Sequence, residues 1–198
     1  GLVLGSVAAL NRGKLIDRLV VFFTTLATSV PSFVLATLLL LIFSIQLELI
    51  PAWSAENPNY ILPVISLAMY PMAYITRLTK TSMLDALGQD YVRTARAKGV
   101  AERTVIWKHA LKNALLPVVT SIGMRFGCLL AGMVTTEQLF SIPGVGSLIV
   151  ESISMKDEPM IIGCAVMVSI CFTLLMIGVD LIYAFIDPRI RAKYSKKG

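Results

Sequence analysis

Few residues in this chain could do covalent chemistry. There is one histidine, His109, and three cysteines, Cys128, Cys164 and Cys171. There is no G-x-x-x-x-G-K-[ST] phosphate loop, no H-E-x-x-H pair and no Cys-x-x-Cys. No partner residues converge on His109 in sequence, so a packing or hydrogen-bonding role fits it better than catalysis. The cysteines all fall inside apolar runs and read as small buried hydrophobes, not as a disulfide or a metal site. What remains is charge. Gly88 to Pro117, GQDYVRTARAKGVAERTVIWKHALKNALLP, is the one long polar interval. With the residues just upstream it holds eight cations, Arg77, Lys80, Arg93, Arg96, Lys98, Arg103, Lys108 and Lys112, against Asp85, Asp90 and Glu102. The chemistry this pattern suits is recognition: a basic surface on which a soluble partner docks. Any work against a gradient must then be driven by another chain or by a coupled ion.

The elements that position this surface are expected to be membrane helices. Of 198 residues 56% are hydrophobic and 15% charged, mean hydropathy is +0.77, and the apolar residues come in long runs. The fold class read from this is all-α, a polytopic transmembrane bundle. The pI near 9.4 invites a nucleic-acid partner, but the cations sit in alternate loops and so encode orientation. The transmembrane domain is expected over 1–186 with a basic tail at 187–198. Complete spans are read at 20–45, 61–79, 114–136 and 161–186, and the polar loop at 80–113. Residues 1–10 are too short to cross, since a bilayer needs about 20 helical residues. They read as the end of a span that begins upstream, and without a basic n-region and cleavage site they are not expected to be a signal peptide. Pro31 is expected to kink the first complete span, and Pro63 and Pro71 fall in the next.

Within the polar interval, Tyr91 to Lys98 is built from helix formers and Gly99 breaks it. Ala101 to Leu116 then resumes at helical spacing, with an end expected before Pro117. The result is a helix-Gly-helix elbow. In the following span Arg125 lies 11 positions beyond Ala114, about 16 Å of helix rise and so near mid-bilayer. An arginine there marks a lumen or an internal partner; a structural pair with a carboxylate or helix-end carbonyls is the alternative. Met124 and Cys128 flank it as candidate path residues. Gly123, Gly127 and Ala131 recur every four residues, a stripe that admits a close helix either from the same chain or from a neighbour. Glu137 to Met160 reads as an outside segment, with a turn at Pro143, Gly144 and Gly146 and a short amphipathic helix over Ser147 to Ser154 that lies at the interface or over a pore mouth. The inside loops hold 16 Lys and Arg residues, the outside loops only Lys156. The C-terminus is therefore expected inside.

Three separated stretches carry a resemblance. DYVRTARAKGV with HALKNALLPVV, TTEQLFSIPGVGSLIVESI and the closing LIYAFIDPRIR resemble the inner-membrane permeases of ABC importers in the oligopeptide, dipeptide and nickel group, and the B-type subunit more than the C-type. The likeness runs over nearly the whole chain. It implies that the first elbow helix is a coupling helix seated in a separate ATPase, with Asp90, Tyr91, Arg93, Thr94, Ala95, Arg96, Ala97, Lys98 and Gly99 as its docking surface. Arg93-Thr94-Ala95 stands where the broad importer consensus has Glu-Ala-Ala, and Leu111-Lys112 where it has Leu-Pro. Both departures are usual in the peptide and nickel group. The implied partners are a second permease of C type, two ATPase subunits that hold ATP and Mg, an extracytoplasmic substrate-binding protein, and membrane lipid. No cofactor is expected on this chain, and the implied location is a bacterial or archaeal inner membrane. The substrate is expected to be a peptide, with nickel or another small solute as the alternative. From other classes, an ion-coupled carrier would use Asp180 but leaves the elbow unexplained, and a membrane scaffold leaves Arg125 unexplained.

Overall fold

The computed structural model describes residues 1–186, without the side chains of Phe126, Cys128, Leu130, Ala131, Asp180 and residues 182–186. The basic tail read at 187–198 lies outside the described residues. Among the described residues every regular element is helical: α1 (Leu2–Leu10), α2 (Leu15–Ser29), α3 (Ser32–Leu39) with a π-helical continuation Leu40–Gln46, α4 (Ile61–Leu87), α5 (Asp90–Ala97), α6 (Glu102–Thr104) with a π-helical continuation Val105–Leu111, α7 (Lys112–Phe140), α8 (Val145–Met155) and α9 (Glu158–Ile186).

The prolines divide into two kinds. Pro31 does not kink one long helix over 20–45; it separates two. With φ −56 and ψ 140 it stands at the head of α3, where a residue without an N–H forfeits no intrahelical bond. Pro71 and Pro117 instead lie inside α4 and α7. The helix end expected before Pro117 is therefore absent. From Glu102 the chain stays helical through to Phe140, so the elbow's second arm is the root of the next apolar helix. A proline removes one hydrogen bond, and an apolar helix has no better partner for the rest of its backbone. Helix α4 likewise begins where expected and carries on into the polar loop as far as Leu87.

Two described helices, Ile61–Leu87 and Glu158–Val179, are each long and apolar enough to cross a bilayer. Two further pairs, α2 with α3 and the end of α7 with α8, reach that standard only when each broken pair is taken as one span.

The chain partitions into two compact units, one of residues 1–28, 72–123 and the described residues from 180, the other of 29–71 and 124–179. The core of the first joins Ala9, Met83, Ala86, Val92, Ala95, Val105, Ala110 and Ala114, with Leu87, Val100 and Leu111 packed on it. Helix α1 lies close along α4: a Cβ on Gly5 would fall 2.5 Å from the Thr76 carbonyl oxygen and 2.6 Å from Thr79 Cβ. The second unit centres on Ala36, Leu62 and Phe140, flanked by Leu39, Phe43 and Ile142. Along α9 only Cys164 is buried among the described side chains, while Ile162, Val166, Ile170 and Leu174 stand exposed. Apolar surface of that extent belongs against lipid or a neighbouring subunit.

Candidate functional site

The elbow is built on the core of the first unit. Val92 and Ala95, three residues apart, share one face of α5 and are buried against the end of α4 and the root of α7. Ala95, expected on the docking surface, is thereby placed in the core. The opposite face presents Tyr91, Arg93, Thr94, Arg96, Ala97 and Lys98. Asp90 opens the helix, where its charge suits the positive end of the dipole, and lies 3.7 Å from Arg93.

The exit from α5 is a full Schellman turn. The Gly99 N–H donates to the Arg96 carbonyl at 2.9 Å and the Val100 N–H to the Ala95 carbonyl at 3.2 Å. Gly99 has φ +74, with nothing within 4 Å of the place a Cβ would take. Backbone conformation alone, not crowding, requires glycine there. Val100 closes the turn by packing on the core beside Ala95. Across the turn the Arg96 guanidinium grips Glu102 with both arms, at 2.6 and 3.1 Å. The hydrogen bond from Arg96 holds the Glu102 carboxyl below its ordinary range, and the carboxylate in turn raises Arg96. Upstream, Lys80 pairs at 2.5 Å with Asp17, a buried carboxylate that also accepts the Gly13 N–H at 2.9 Å. The short basic loop after α1 is thus tied to the stem of the elbow. The inner face of α5 thus shares one buried cluster with the end of α4 and the root of α7.

Farther along α7, Arg125 stacks over the Tyr70 ring at 5.4 Å and Met124 is exposed. Gly127 faces Phe172 of α9, whose ring would lie 3.0 Å from an added Cβ, so this member of the small-residue stripe serves packing within the chain. Gly123 is buried. The side chains of Cys128 and Ala131 lie outside the described residues.

A second corner joins α7 to α8, with an 82° bend. Glu137, read from sequence as an acid of an outside segment, is 7% exposed. Its Oε2 accepts the Ser147 N–H at 2.9 Å, in the first turn of α8. A Cβ on Gly144 would collide with the Glu137 carboxyl group. One on Gly146 would lie 2.7 Å from Val134 Cα and 2.8 Å from Glu137 Oε2. Beside this corner a groove of about 670 Å³ has Gly127, Glu137, Gly146, Met167 and Phe172 on its walls.

The elbow, the proline-containing apolar helices and this corner follow one another along the chain. The family of binding-protein-dependent transport system inner membrane components matches the chain over residues 1–192. This chain belongs to that family. Among individual relatives, the dipeptide transport system permease protein DppB of Bacillus subtilis (strain 168) is 45% identical over 199 residues, which cover all of this chain and 64% of that protein. The glutathione transport system permease protein GsiC of Escherichia coli (strain K12) is 42% identical over 194 residues, 98% of this chain and 63% of that protein. GsiC of Salmonella paratyphi A stands at the same identity and coverage. The chain thus spans a little under two thirds of the length of these relatives.

Three features of the structure were not anticipated from the sequence. Asp17 sits in the first turn of α2, among Arg12, Lys14 and Arg18, and gives no sign in the sequence of its partner 63 positions away, Lys80. Glu137 resembles any outer-loop acid, although the Gly-x-Gly-Ser that follows is a usable signal: small residues at a helix start leave room for an anion. Ala95 betrays its burial by its spacing from Val92.

Proposed function

We propose that this chain is the membrane-spanning permease subunit of an ATP-driven importer of peptides, forming half of the translocation path and coupling it to a separate ATPase. The observation that carries the reading is the elbow: a short basic helix whose inner face is fused to the core and whose outer face, Tyr91, Arg93, Thr94, Arg96, Ala97 and Lys98, is open to a partner. Gly99 sets its angle. The peptide assignment is supported by relatives whose names specify dipeptide and glutathione transport.

In this reading the loop 80–113 and the C-terminus face the cytoplasm, as the distribution of cations favours. The partners are a second permease of C type, two ATPases that hold ATP and Mg, and a substrate-binding protein outside. The chain itself binds no cofactor and hydrolyses nothing. ATP closes the two ATPases, the docked elbows approach each other, and the displacement passes through Val92, Ala95 and Val105 into α4 and α7, turning the path outward. Arg125 and Met124 on α7 are assigned to that path, and Cys128, whose side chain lies outside the described residues, is assigned to it by its position in the sequence. Arg125 fits the role because an arginine at mid-membrane depth is strongly disfavoured against lipid.

Uptake of a labelled dipeptide into vesicles carrying the full complex tests the reading. ATP-dependent accumulation, unchanged when ion gradients are collapsed, is the expected result. Uptake that follows an ion gradient without ATP would replace the importer by a carrier, and accumulation of nickel but not peptide would move the chain to the metal branch.

A further inference from the structure

We propose that Glu137 is a positioning residue for the transport cycle: its buried carboxylate latches α8 to α7, so that the two helices move as one gate element. The proposal rests on the importer reading for its functional meaning and on the α7–α8 corner for its geometry.

Several independent features converge on this carboxylate. It is a charged group at 7% exposure that accepts a backbone N–H, at 2.9 Å, from the first turn of an 11-residue helix. There the unpaired N–H groups and the positive end of the dipole favour an anion, and burial removes competing water. Both glycines ahead of Ser147 lack the volume that would push Glu137 away: a side chain at Gly144 would strike the carboxyl group, and one at Gly146 would press on Val134 Cα. Two further bonds tie the corner, from the Ile142 N–H to the Glu137 carbonyl at 2.9 Å and from Ser147 Oγ to the Ile142 carbonyl at 3.0 Å. Both end on Ile142, in the connecting turn, whereas Glu137 joins one helix directly to the other. The turn itself includes Ser141 in a left-handed conformation, φ +54. A corner closed by a side chain across ten residues holds its angle when α7 tilts, and carries α8 with it. The groove walled by Glu137, Gly146, Met167 and Phe172 keeps its α7 and α8 walls in fixed relation.

The test uses spin labels on Gln138 and Ile153, both exposed, in a chain whose native cysteines are replaced, assembled in the complete complex in lipid nanodiscs. The expected result is one narrow label-to-label distance, the same without nucleotide and with ATP trapped, that broadens in Glu137→Ala. Glu137→Gln keeps an acceptor for the Ser147 N–H without the charge and falls between the two, which covers the event that Glu137→Ala fails to fold. In transport, Glu137→Ala keeps ATPase copurification and basal hydrolysis while uptake driven by the binding protein falls roughly tenfold, the effect of losing one charge-assisted hydrogen bond from the positioned state. A distance that shifts between nucleotide states in the unsubstituted chain, or a distribution in both variants as narrow as in the parent, would overturn the latch. If the unsubstituted complex shows no ATP-dependent uptake, the importer reading fails by itself, and the distance measurement still decides the latch.

Discussion

Glycine serves opposite needs at two of the turns among the described residues, the elbow and the α7–α8 corner. At the elbow Gly99 has open space around it and a φ of +74; at the α7–α8 corner Gly144 has an extended φ of −147 and, with Gly146, no space at all. The first turn has room for a side chain but a backbone that favours glycine; at the second the backbone of Gly144 suits any residue but there is no room for a side chain. Their carboxylates differ in the same way. Glu102 is more than half exposed in its pair with Arg96, whereas Glu137 is buried on a helix end. The elbow is therefore built as a surface whose shape is held locally, and the corner as an internal joint.

Substitutions that exchange the two demands break this contrast most directly. Gly99→Pro removes the N–H that reaches Arg96 and excludes φ +74; it should cost roughly 3 kcal/mol locally and abolish stimulation of the ATPase while the rest of the chain stays folded. Gly146→Ala should lower the stability of the detergent-solubilised chain by about 2 kcal/mol through overpacking against Val134, measured by thermal unfolding. Gly99→Ala should cost about 1 kcal/mol and leave coupling measurable, since only the backbone objects. An alanine at Gly99 that proved as damaging as the proline would show that the elbow is crowded after all, by a partner seated on it.

The smallest effect belongs to the Arg96 and Glu102 pair. Its folded carboxyl is held below the ordinary value, so its contribution is complete above the ordinary carboxylate range and disappears as pH falls through the depressed value. The protection of the Gly99 and Val100 amides, taken relative to their intrinsic exchange rates at each pH, should fall on acidification, and Glu102→Gln should remove that fall with little other consequence. A pH response that persisted in Glu102→Gln would assign it to another group.

The sequence made the elbow readable because its signals are local: helix formers, a glycine and then helix formers again, in the one long polar interval of the chain. The α8 helix was readable for the same reason, expected at Ser147 to Ser154 and found at Val145–Met155. What escaped depends on contacts between distant positions. Asp17 and Glu137 acquire their roles only when α2 meets α4 and α8 folds back on α7. The prolines misled in both directions, because a proline's effect depends on whether the chain has an alternative at that point. Pro31 heads a new helix, while Pro117 rides inside one.

The central claim is that the outer face of α5 docks an ATPase at an angle set by Gly99. Copurification of the chain, in detergent, with the ATPase subunits of its own cell tests this most directly, using the unsubstituted elbow, Gly99→Ala and Gly99→Pro. The account predicts recovery of an ATPase with the first two and its loss with the third. Equal recovery with all three would contradict it and detach the elbow from coupling.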